Sequence, residues 1–218
     1  MHIDIFQGLP QSRRGDRVTR RVNLSPEEIS ELKKYGHEYF DGESGYGGYY
    51  YDGRWKPVAE ELVRHYGLNP GSKVLEVGCA KGFLMYELYK RGISNVYGCD
   101  ISSYAISQVP EEIAKNFKVM SADSLAYEDS YFDLVVSIDC INNLESKGVD
   151  RAIKEMMRVS KKNIFIRVGS HRNSEEYEHI RKWAVTSLTF NSPDEWLARF
   201  DRLGYDGDYY FRFLDKLE

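Results

Sequence analysis

The chain has 218 residues, which is enough for one α/β domain with additional elements but too short for two full domains. Hydrophobic residues make up 42% and charged residues 29% of it, as in ordinary globular proteins rather than disordered ones. The net charge of −4 and the isoelectric point near 5.8 give no overall attraction to nucleic acid.

One basic run lies near the N-terminus and is the only local candidate for a phosphate-binding patch. A solvated and partly mobile arm explains such a run better, so we expect residues 1–23 to form a loose arm. The arginines of the run are Arg13, Arg14, Arg17, Arg20 and Arg21.

No apolar run approaches the roughly 18 residues of a membrane span, and the first residues do not read as a signal peptide. We therefore expect a cytoplasmic protein that makes no membrane contact. The cysteines Cys79, Cys99 and Cys140 have no CxxC spacing, which favours reduced, buried side chains and no metal site.

The first predicted helix begins at Ser25, where Pro26 suits the first turn and Glu28 completes a capping box. Residues 34–55 are rich in tyrosine and glycine and follow neither a helix nor a strand period. Apolar positions at helical spacing then predict a helix over residues 57–66.

From residue 73 onward, strands and helices alternate four times, and the strands are rich in valine and isoleucine. This order predicts a parallel sheet with helices on both faces. The predicted strands cover residues 73–77, 95–99, 118–120, 132–138 and 163–168, and the helices cover about 82–91, a segment from 103, and 149–159.

The C-terminal part departs from this alternation. Helices are predicted over residues 174–183 and 192–204, and strands over 187–190 and 209–214. We expect these two strands to extend the sheet. The complete prediction is a seven-stranded, mostly parallel sheet with an antiparallel C-terminal edge strand.

A glycine-rich turn follows the first strand and runs from Gly78 through Ala80 to Gly82. Glycine permits close approach of a ligand, and the next helix offers free N–H groups and its positive dipole end, so the turn predicts a nucleoside site. In a dinucleotide-binding turn Phe83 would be the third glycine, so the spacing disfavours NAD.

The segment from Glu76 to Gly82 resembles motif I of class I S-adenosylmethionine-dependent methyltransferases of type 11, with Ala80 in place of one glycine. Alanine would be tolerated there if its dihedrals stay negative. The resemblance covers about residues 56–168 and implies a Rossmann-like fold, with residues 56–218 as the methyltransferase domain and residues 1–55 as an arm, helix and cap.

The resemblance also implies how the site holds S-adenosylmethionine and its product S-adenosylhomocysteine. Asp100 would accept hydrogen bonds from the ribose hydroxyls, Ile101 would lie against adenine, and Asp123 would take the adenine amino group. The implied cofactor-binding residues are Glu76, Gly78, Cys79, Ala80, Gly82, Asp100, Ile101, Ala122, Asp123, Ser124 and Asp139. Taken one at a time, these residues would also fit purely structural roles in a tight turn, a helix cap or a loop.

Ligands of open α/β sheets lie beyond the carboxyl ends of the strands, which directs attention to Asp139, Asn142 and Asn143 and to the residues after the fifth strand. His171 is the leading candidate base, with Asp139 and His37 as further catalytic candidates. His171 could instead cap the next helix or lie exposed.

The tyrosine- and glycine-rich residues suggest a lid over the site, although a loop packed on the sheet edge is the alternative. Arg54 could bind a carboxylate or phosphate. The predicted substrate or lid residues are Tyr46, Tyr49, Arg54, Trp55, Asn142, Asn143 and Arg172.

A narrower resemblance, to a bacterial subgroup of small-molecule methyltransferases, suggests a sugar or nucleotide-sugar of surface polysaccharide synthesis as the acceptor. Three alternatives stay open: a non-catalytic nucleoside binder, a nucleic-acid methyltransferase and an NAD-dependent oxidoreductase. The lack of a D-P-P-Y motif at Asp139 and the net charge argue against nucleic acid.

Overall fold

The computed structural model describes residues 1–10 and 23–214. The strands of this part are β1 (Lys73–Val77), β2 (Asn95–Asp100), β3 (Phe117–Val119), β4 (Phe132–Ile138), β5 (Ser160–Gly169) and β6 (Asp208–Arg212). The helices are α1 (Pro26–Leu32), α2 (His37–Phe40), α3 (Lys56–Tyr66), α4 (Phe83–Lys90), α5 (Ser103–Ile106), α6 (Glu111–Ala114), α7 (Ser146–Val159), α8 (Ser174–Trp183) and α9 (Pro193–Leu203), with a 3₁₀ turn at Ile141–Asn143.

The six strands form one sheet in the order β3-β2-β1-β4-β5-β6, and all of its strand pairs are parallel. Successive residues of a strand point to opposite faces, and in β4 Val135 packs into one core while Val136 packs into the other. Both residues are fully buried, as expected for a sheet covered by helices on both sides.

Helices α7 and α9 cover one face of the sheet, where Met156 and Trp196 are completely buried. Helices α3 and α4 cover the other, where Leu62 and Leu88 are completely buried. Burying each such side chain contributes roughly 1.5–3 kcal/mol. These layers hold the carboxyl ends of the strands beside one another along one edge.

The predicted seventh strand and antiparallel edge are wrong. Residues 187–190 form no strand, because the N–H groups of Leu188 and Thr189 both donate to the carbonyl of Asn142, at 2.9 and 3.0 Å. Helices α8 and α9 carry the chain back to the side of the sheet where β5 begins. Strand β6 therefore runs parallel to β5, and the paired residues start with Phe165 and Asp208.

The prediction of a loose arm is also wrong for its first ten residues. The N–H of Ile3 donates to the carbonyl of Tyr209 at 3.0 Å, and the N–H of Tyr209 donates to Met1 at 2.9 Å, so the start of the chain lies along β6. Ile5 is 2% exposed and belongs to the core. The predicted basic run lies in residues 11–22, outside the described residues.

Residues 35–55, named here the Tyr/Gly segment, contain the short helix α2 and otherwise turns and bends. Their aromatic rings pack on one another, with Tyr39 contacting Tyr35 and Tyr46 at centroid distances of 5.0 and 5.3 Å. Tyr49 stacks on Phe83 at 5.2 Å, which attaches the segment to the first residue of α4. The segment therefore covers the region where β1 turns into α4.

Candidate functional site

A cavity of about 350 Å³ lies at the carboxyl ends of the strands and is closed on one side by the Tyr/Gly segment. This volume is within the range of small-molecule sites. Its walls are built from Leu9, Pro10, Tyr35, Tyr39, Phe40, Tyr46, Gly48, Tyr49, Tyr50, Arg54, Trp55, Glu76, Gly78, Cys79, Ala80, Asp100, Ile101, Met120, Ser121, Ala122, Ile138, Asp139, Cys140, Asn143, Leu144, Arg167, Trp183 and Arg212.

The glycine turn forms one wall of this cavity. Gly78 and Gly82 have φ values of +79° and +72°, which favour glycine. A Cβ at Gly78 would also lie 2.3 Å from Sγ of Cys140, so the neighbouring strand end leaves no room for a side chain.

Ala80 has a φ of +48°, so the negative dihedrals under which alanine would be tolerated at this position are not present. Four non-glycine residues of the described chain have positive φ, and three of them, Tyr35, Ala80 and Asp139, line this cavity. Strained backbone of this kind concentrates at functional sites because the surrounding structure must hold it. The clustering of these conformations supports this cavity as the candidate functional site.

Glu76, the last but one residue of β1, is 5% exposed and lines the cavity. Its Oε2 atom has no hydrogen-bond partner among the described residues. Burial raises the pKa of Glu76 well above its ordinary value, and the nearby charge of Asp100 raises it further. An unpaired carboxyl in a buried wall is suited to receive a cationic or hydrogen-bond-donating ligand group.

Asp100 ends β2 and organises the glycine turn. Its Oδ2 accepts the N–H of Ala80 at 2.8 Å, and its Oδ1 accepts the N–H of Ser102 at 2.9 Å. Burial raises the pKa of Asp100 despite these two hydrogen bonds. Ile101, which follows it, also lines the cavity and is 60% exposed.

The loop after β3 contributes Ala122 to the cavity, but Asp123 and Ser124 are not part of the wall. Oδ1 of Asp123 accepts the hydroxyl of Ser121 at 2.6 Å, and its Oδ2 accepts Nη2 of Arg151 at 2.6 Å. These contacts lower the pKa of Asp123. In this structure the carboxylate of Asp123 is engaged with protein groups rather than directed at the cavity.

Asp139 lies immediately after β4 and is bonded to two arginines. Nε of Arg167 lies 3.1 Å from its Oδ1, and Nη1 of Arg212 lies 3.2 Å from its Oδ2. Burial would raise the pKa of Asp139, but the two guanidinium groups outweigh it and hold the pKa below its ordinary value. A carboxylate stabilised in this way is a poor proton acceptor, which argues against Asp139 as the base.

Neither candidate histidine lines the cavity. The ring of His171 packs against Tyr177 at 5.0 Å, on the start of α8, and the exposed His37 packs against Tyr104 at 5.5 Å. Arg172 is also outside the wall and donates from Nε to Glu176 at 2.8 Å. The geometry supports none of these three residues as groups that act on a ligand in this cavity.

Most predicted lid residues do line the cavity, namely Tyr46, Tyr49, Arg54 and Trp55. Arg54 is engaged by Asp52, with Nε 2.8 Å from Oδ2, so its charge is already compensated.

The two asparagines near Asp139 differ in their surroundings. Asn143 lines the cavity, and its Oδ1 accepts the hydroxyl of Thr186 at 3.0 Å. Asn142 is buried and its Nδ2 donates to the carbonyls of Gly169 and Thr189, at 3.3 and 3.2 Å, which makes it a brace between strand and loop.

Sequence reasoning missed Arg167 and Arg212. Each is a charged residue near the carboxyl end of a largely apolar strand, and that contrast was the available signal. It also missed the ion pair between Lys81 and Asp41, which are distant in sequence and meet only once the Tyr/Gly segment folds over the turn.

The parallel sheet with helices on both faces, the glycine turn after β1 and the acidic residue ending β2 are all features of class I S-adenosylmethionine-dependent methyltransferase domains. The family model described as "Methyltransferase domain" matches residues 75–166 of this chain and supports that class.

Two relatives with similar sequences are also named as methyltransferases. Ubiquinone biosynthesis O-methyltransferase of Nitrosococcus oceani is 24% identical over 136 residues, 57% of this chain and 53% of that protein. Ribosomal protein L11 methyltransferase of Thermosipho melanesiensis is 28% identical over 146 residues, 65% of this chain and 52% of that protein. The chain thus spans about half the length of these two relatives.

A solved structure of an S-adenosylmethionine-dependent methyltransferase from Archaeoglobus fulgidus superimposes with a TM-score of 0.56 at 19% identity. The match covers 77% of this chain and 72% of that one. At this identity the match shows a shared fold.

S-adenosylmethionine is the cofactor of this class, and the cavity fits it on observations of this chain. The unpaired Glu76 oxygen suits the ammonium group of the cofactor's amino-acid end, and Asp100 stands where a carboxylate can accept ribose hydroxyls. The positive φ of Gly78 and Gly82 keeps the turn open to close approach. No helix of the described residues is long and apolar enough to cross a membrane.

Proposed function

We propose that the protein transfers a methyl group from S-adenosylmethionine to a small-molecule acceptor bound in the same cavity. The observation that carries this proposal is the continuity of the cavity. It extends from Glu76 and Asp100 to the ends of β4, β5 and β6, and residues of the Tyr/Gly segment cover it. A cofactor at the glycine turn leaves its acceptor the space toward Asp139 and Trp183.

The bound cofactor supplies an electrophilic methyl group on a sulfonium. The chain contributes mainly positioning and exclusion of water, since aligning the reacting atoms lowers the barrier more than a weak base does. Tyr35 lines the cavity, and burial raises its pKa to about 12, so its phenol stays protonated at neutral pH. Asp139 is held ionised by its arginines. The site therefore favours an acceptor atom that is nucleophilic without a strong protein base.

We further propose that the Tyr/Gly segment opens and closes over the cavity. Gly47, Gly48 and Gly53 have φ values of +65°, +106° and +74°, and such residues permit large backbone changes at little cost. Hydrogen exchange with and without S-adenosylhomocysteine tests this proposal. We expect residues 35–55 to become more protected with the ligand, and equal protection in both states would contradict a lid.

The specific acceptor class expected from the sequence, a sugar or nucleotide-sugar, stays a hypothesis. The names of the relatives refer to ubiquinone biosynthesis and to a ribosomal protein, so they do not favour one acceptor class. The acceptor class has to be inferred from the part of the cavity near Asp139 and Trp183, named here the acceptor end.

Calorimetric titration and thermal shift with S-adenosylmethionine, S-adenosylhomocysteine and NAD test the proposed cofactor. We expect both sulfur compounds to bind and NAD not to. Asp100→Asn should weaken binding at least about tenfold, or ~1.4 kcal/mol, without unfolding the protein. Asp129→Asn is the matched control, because Asp129 is exposed and pairs with Arg158. Tighter binding of NAD than of S-adenosylhomocysteine would overturn the assignment.

Transfer itself is tested by incubating the protein with methyl-labelled S-adenosylmethionine and fractionated cell metabolites. We expect label in a low-molecular-weight product and its loss in Asp100→Asn. A protein that binds the cofactor but labels no fraction would be a binder rather than an enzyme.

A further inference from the structure

Two neighbouring asparagines follow β4, and they differ in how far the protein uses their hydrogen-bonding groups. Nδ2 of Asn142 donates to the carbonyls of Gly169 and Thr189, and its Oδ1 accepts the N–H of Gly169 at 3.2 Å. Asn143 is half-buried and lines the cavity. Its Nδ2 donates to no group in the part of the chain that the structure describes. The amide nitrogen of Asn143 therefore has donors to offer a ligand.

Two hydroxyl groups hold the oxygen end of the Asn143 amide. Thr186 donates to its Oδ1 at 3.0 Å and Ser187 donates to the same atom at 3.4 Å. The phenol of Tyr35 is hydrogen-bonded to the side chain of Thr186. Because Thr186 gives its single hydroxyl proton to Asn143, Tyr35 is the donor in that contact. The amide thus turns its oxygen toward these hydroxyls and leaves its nitrogen for the cavity.

The backbone around Asn143 is fixed while its side chain borders open space. The N–H of Asn143 donates to the carbonyl of Cys140 at 3.0 Å, and the hydroxyl of Thr189 donates to the carbonyl of Leu144 at 2.7 Å. A second cavity of about 50 Å³ adjoins the first, and Asn143 lines both. A donor held in this way is preorganised, since little conformational freedom is lost when a ligand binds.

The charged groups of the acceptor end are engaged with one another. The carboxylate of Asp139 contacts the guanidinium groups of Arg167 and Arg212. A charged acceptor group would compete with these ion pairs, whereas an uncharged oxygen can accept a hydrogen bond from Asn143 without breaking any of them. Hydroxyl, ether and carbonyl oxygens all match an amide N–H, and an ammonium group, which has only donors, does not.

Tyr35 connects this amide to the cofactor side of the cavity. Its carbonyl accepts the hydroxyl of Ser102 at 2.5 Å, and the N–H of Ser102 donates to Oδ1 of Asp100 at 2.9 Å. Its phenol bonds to Thr186, and its φ is +51°. Contacts at both ends of Tyr35 hold this unfavourable conformation in place. One residue therefore links the carboxylate at the end of β2 to the asparagine after β4.

We propose that Asn143 binds the acceptor by donating a hydrogen bond from Nδ2 to an uncharged oxygen, and that Tyr35 is the positioning residue that holds the amide through Thr186. This inference rests on the proposed methyl transfer. The acceptor is then a compound with a hydroxyl, ether or carbonyl oxygen at this contact rather than an ammonium group.

The test uses the full chain saturated with S-adenosylhomocysteine, so that only the acceptor end is titrated. The probes are cyclohexanone and cyclohexylamine, which share one carbon ring and present a carbonyl oxygen or, at neutral pH, an ammonium group. Their affinities are measured from NMR shifts. In Asn143→Asp the carboxylate still accepts the hydroxyls of Thr186 and Ser187, and only the amide donors are lost. We expect this variant to bind cyclohexanone at least about fivefold more weakly.

The same variant should bind cyclohexylamine more tightly, because a carboxylate accepts hydrogen bonds from an ammonium group. Asn95→Asp is the matched control, since Asn95 is another half-buried asparagine but begins β2, at the opposite edge of the sheet. Unchanged affinities for both probes in Asn143→Asp, or no binding of cyclohexanone to the parent, would overturn the proposal. If Asn143→Asp does not fold, Asn143→Ala replaces it, and only the cyclohexanone affinity should fall.

Tyr35→Phe tests the positioning role, because it removes the phenol oxygen and keeps the carbonyl that accepts Ser102. We expect cyclohexanone to bind about two- to threefold more weakly and cyclohexylamine to bind as in the parent. Tyr86→Phe is the control, since the Tyr86 hydroxyl donates to Glu112 on the outside of α4. If Tyr35→Phe weakens both probes alike, or neither, Tyr35 does not position Asn143.

Binding of S-adenosylhomocysteine to the parent separates this inference from the proposed function. Failure of that ligand to bind would refute the proposed function. Normal binding of that ligand, together with probe affinities that do not respond to Asn143→Asp, would refute only the role of Asn143.

Discussion

Nζ of Lys81 lies 2.9 and 2.8 Å from the two carboxylate oxygens of Asp41. Lys81 is inside the glycine turn and Asp41 is inside the Tyr/Gly segment, so this ion pair joins the turn to the segment that covers the cavity. Asp41 also accepts the hydroxyl of Tyr104 and the N–H of Tyr49, the latter at 3.0 Å. The Lys81 side chain is only 8% exposed, which leaves it dependent on this partner.

Asp41→Asn should therefore both destabilise the protein and weaken cofactor binding. Removing one partner of a buried pair costs 3–5 kcal/mol, and we expect about 2 kcal/mol here because Asp41 is partly accessible to solvent. Urea unfolding and titration with S-adenosylhomocysteine measure the two effects. The double variant Asp41→Leu with Lys81→Met should regain much of the stability, since no unpaired charge is left.

The matched control for this pair is Glu61→Gln, which removes a carboxylate from an exposed ion pair with Arg64 on α3. Exposed pairs of this type contribute between 0 and about 1 kcal/mol. If Asp41→Asn behaves like this control in both measurements, the ion pair does not couple the segment to the turn.

Glu76→Gln should separate stability from binding. The amide has nearly the same shape but never ionises, so the free protein at pH 8 should be at least as stable as the parent. Affinity for S-adenosylhomocysteine should fall at least about tenfold, because the amide cannot pair with an ammonium group. Loss of stability with unchanged affinity would assign Glu76 a purely structural role.

The pH dependence of the parent follows from the raised pKa of Glu76. Above the ordinary value of 4.5 the unfolded chain releases this proton while the folded state keeps it, so unfolding releases a proton and stability falls as pH rises. The contribution is fully present below 4.5 and is lost as pH rises through the folded pKa. Subtracting the stability curve of Glu76→Gln from that of the parent isolates this slope, and a difference that does not vary with pH would contradict the buried, unpaired carboxyl.

Ala80→Gly should stabilise the turn. A left-handed conformation costs a residue with a side chain about 1–2 kcal/mol, and glycine removes that cost while adding freedom to the unfolded chain. We expect a net gain below about 1 kcal/mol by chemical denaturation. The matched control is Ala105→Gly in α5, where Ala105 is fully buried and glycine should destabilise instead. If Ala80→Gly also destabilises, contacts of the methyl group outweigh the backbone strain.

His171→Ala should leave methyl transfer within about twofold of the parent, a change below ~0.5 kcal/mol in the barrier. The reason is that His171 packs on Tyr177 outside the cavity wall. The assay is the initial rate with labelled cofactor, and Tyr177→Leu serves as the packing control. A rate reduced a hundredfold or more, with normal cofactor affinity, would restore His171 as the base.

The sequence was sufficient for the central elements of the fold, because each has a local signal. Valine-rich strands, the glycine turn and helix caps are read within a few residues. The capping box predicted at Ser25 is present, and Ser192 forms a second one of the same Ser-Pro-x-Glu pattern. The direction of β6 has no local signal. It depends on how α8 and α9 carry the chain back across the sheet, which only the assembled layers determine.

The same difference between local and long-range signals explains which residues of the site could be predicted. Glu76 and Asp100 were implied by the resemblance to motif I and to the position that ends the second strand, and both line the cavity. Asp123 lies at the sequence position expected for an adenine-binding residue. Its carboxylate, however, forms an ion pair with Arg151 on α7, which is distant in sequence. Asp139 was predicted as a cofactor-binding and catalytic residue, and its pairing with two arginines was missed because they are 28 and 73 residues away.

The walls of the cavity divide between two parts of the sequence. Glu76, Asp100 and the glycine turn lie within residues 75–166, the part shared with the methyltransferase-domain family. Arg167, Arg212 and the Tyr/Gly segment lie outside it. In the proposed function, the donor therefore binds to the part of the chain that the family model matches, whereas part of the space for the acceptor is formed by residues that flank it.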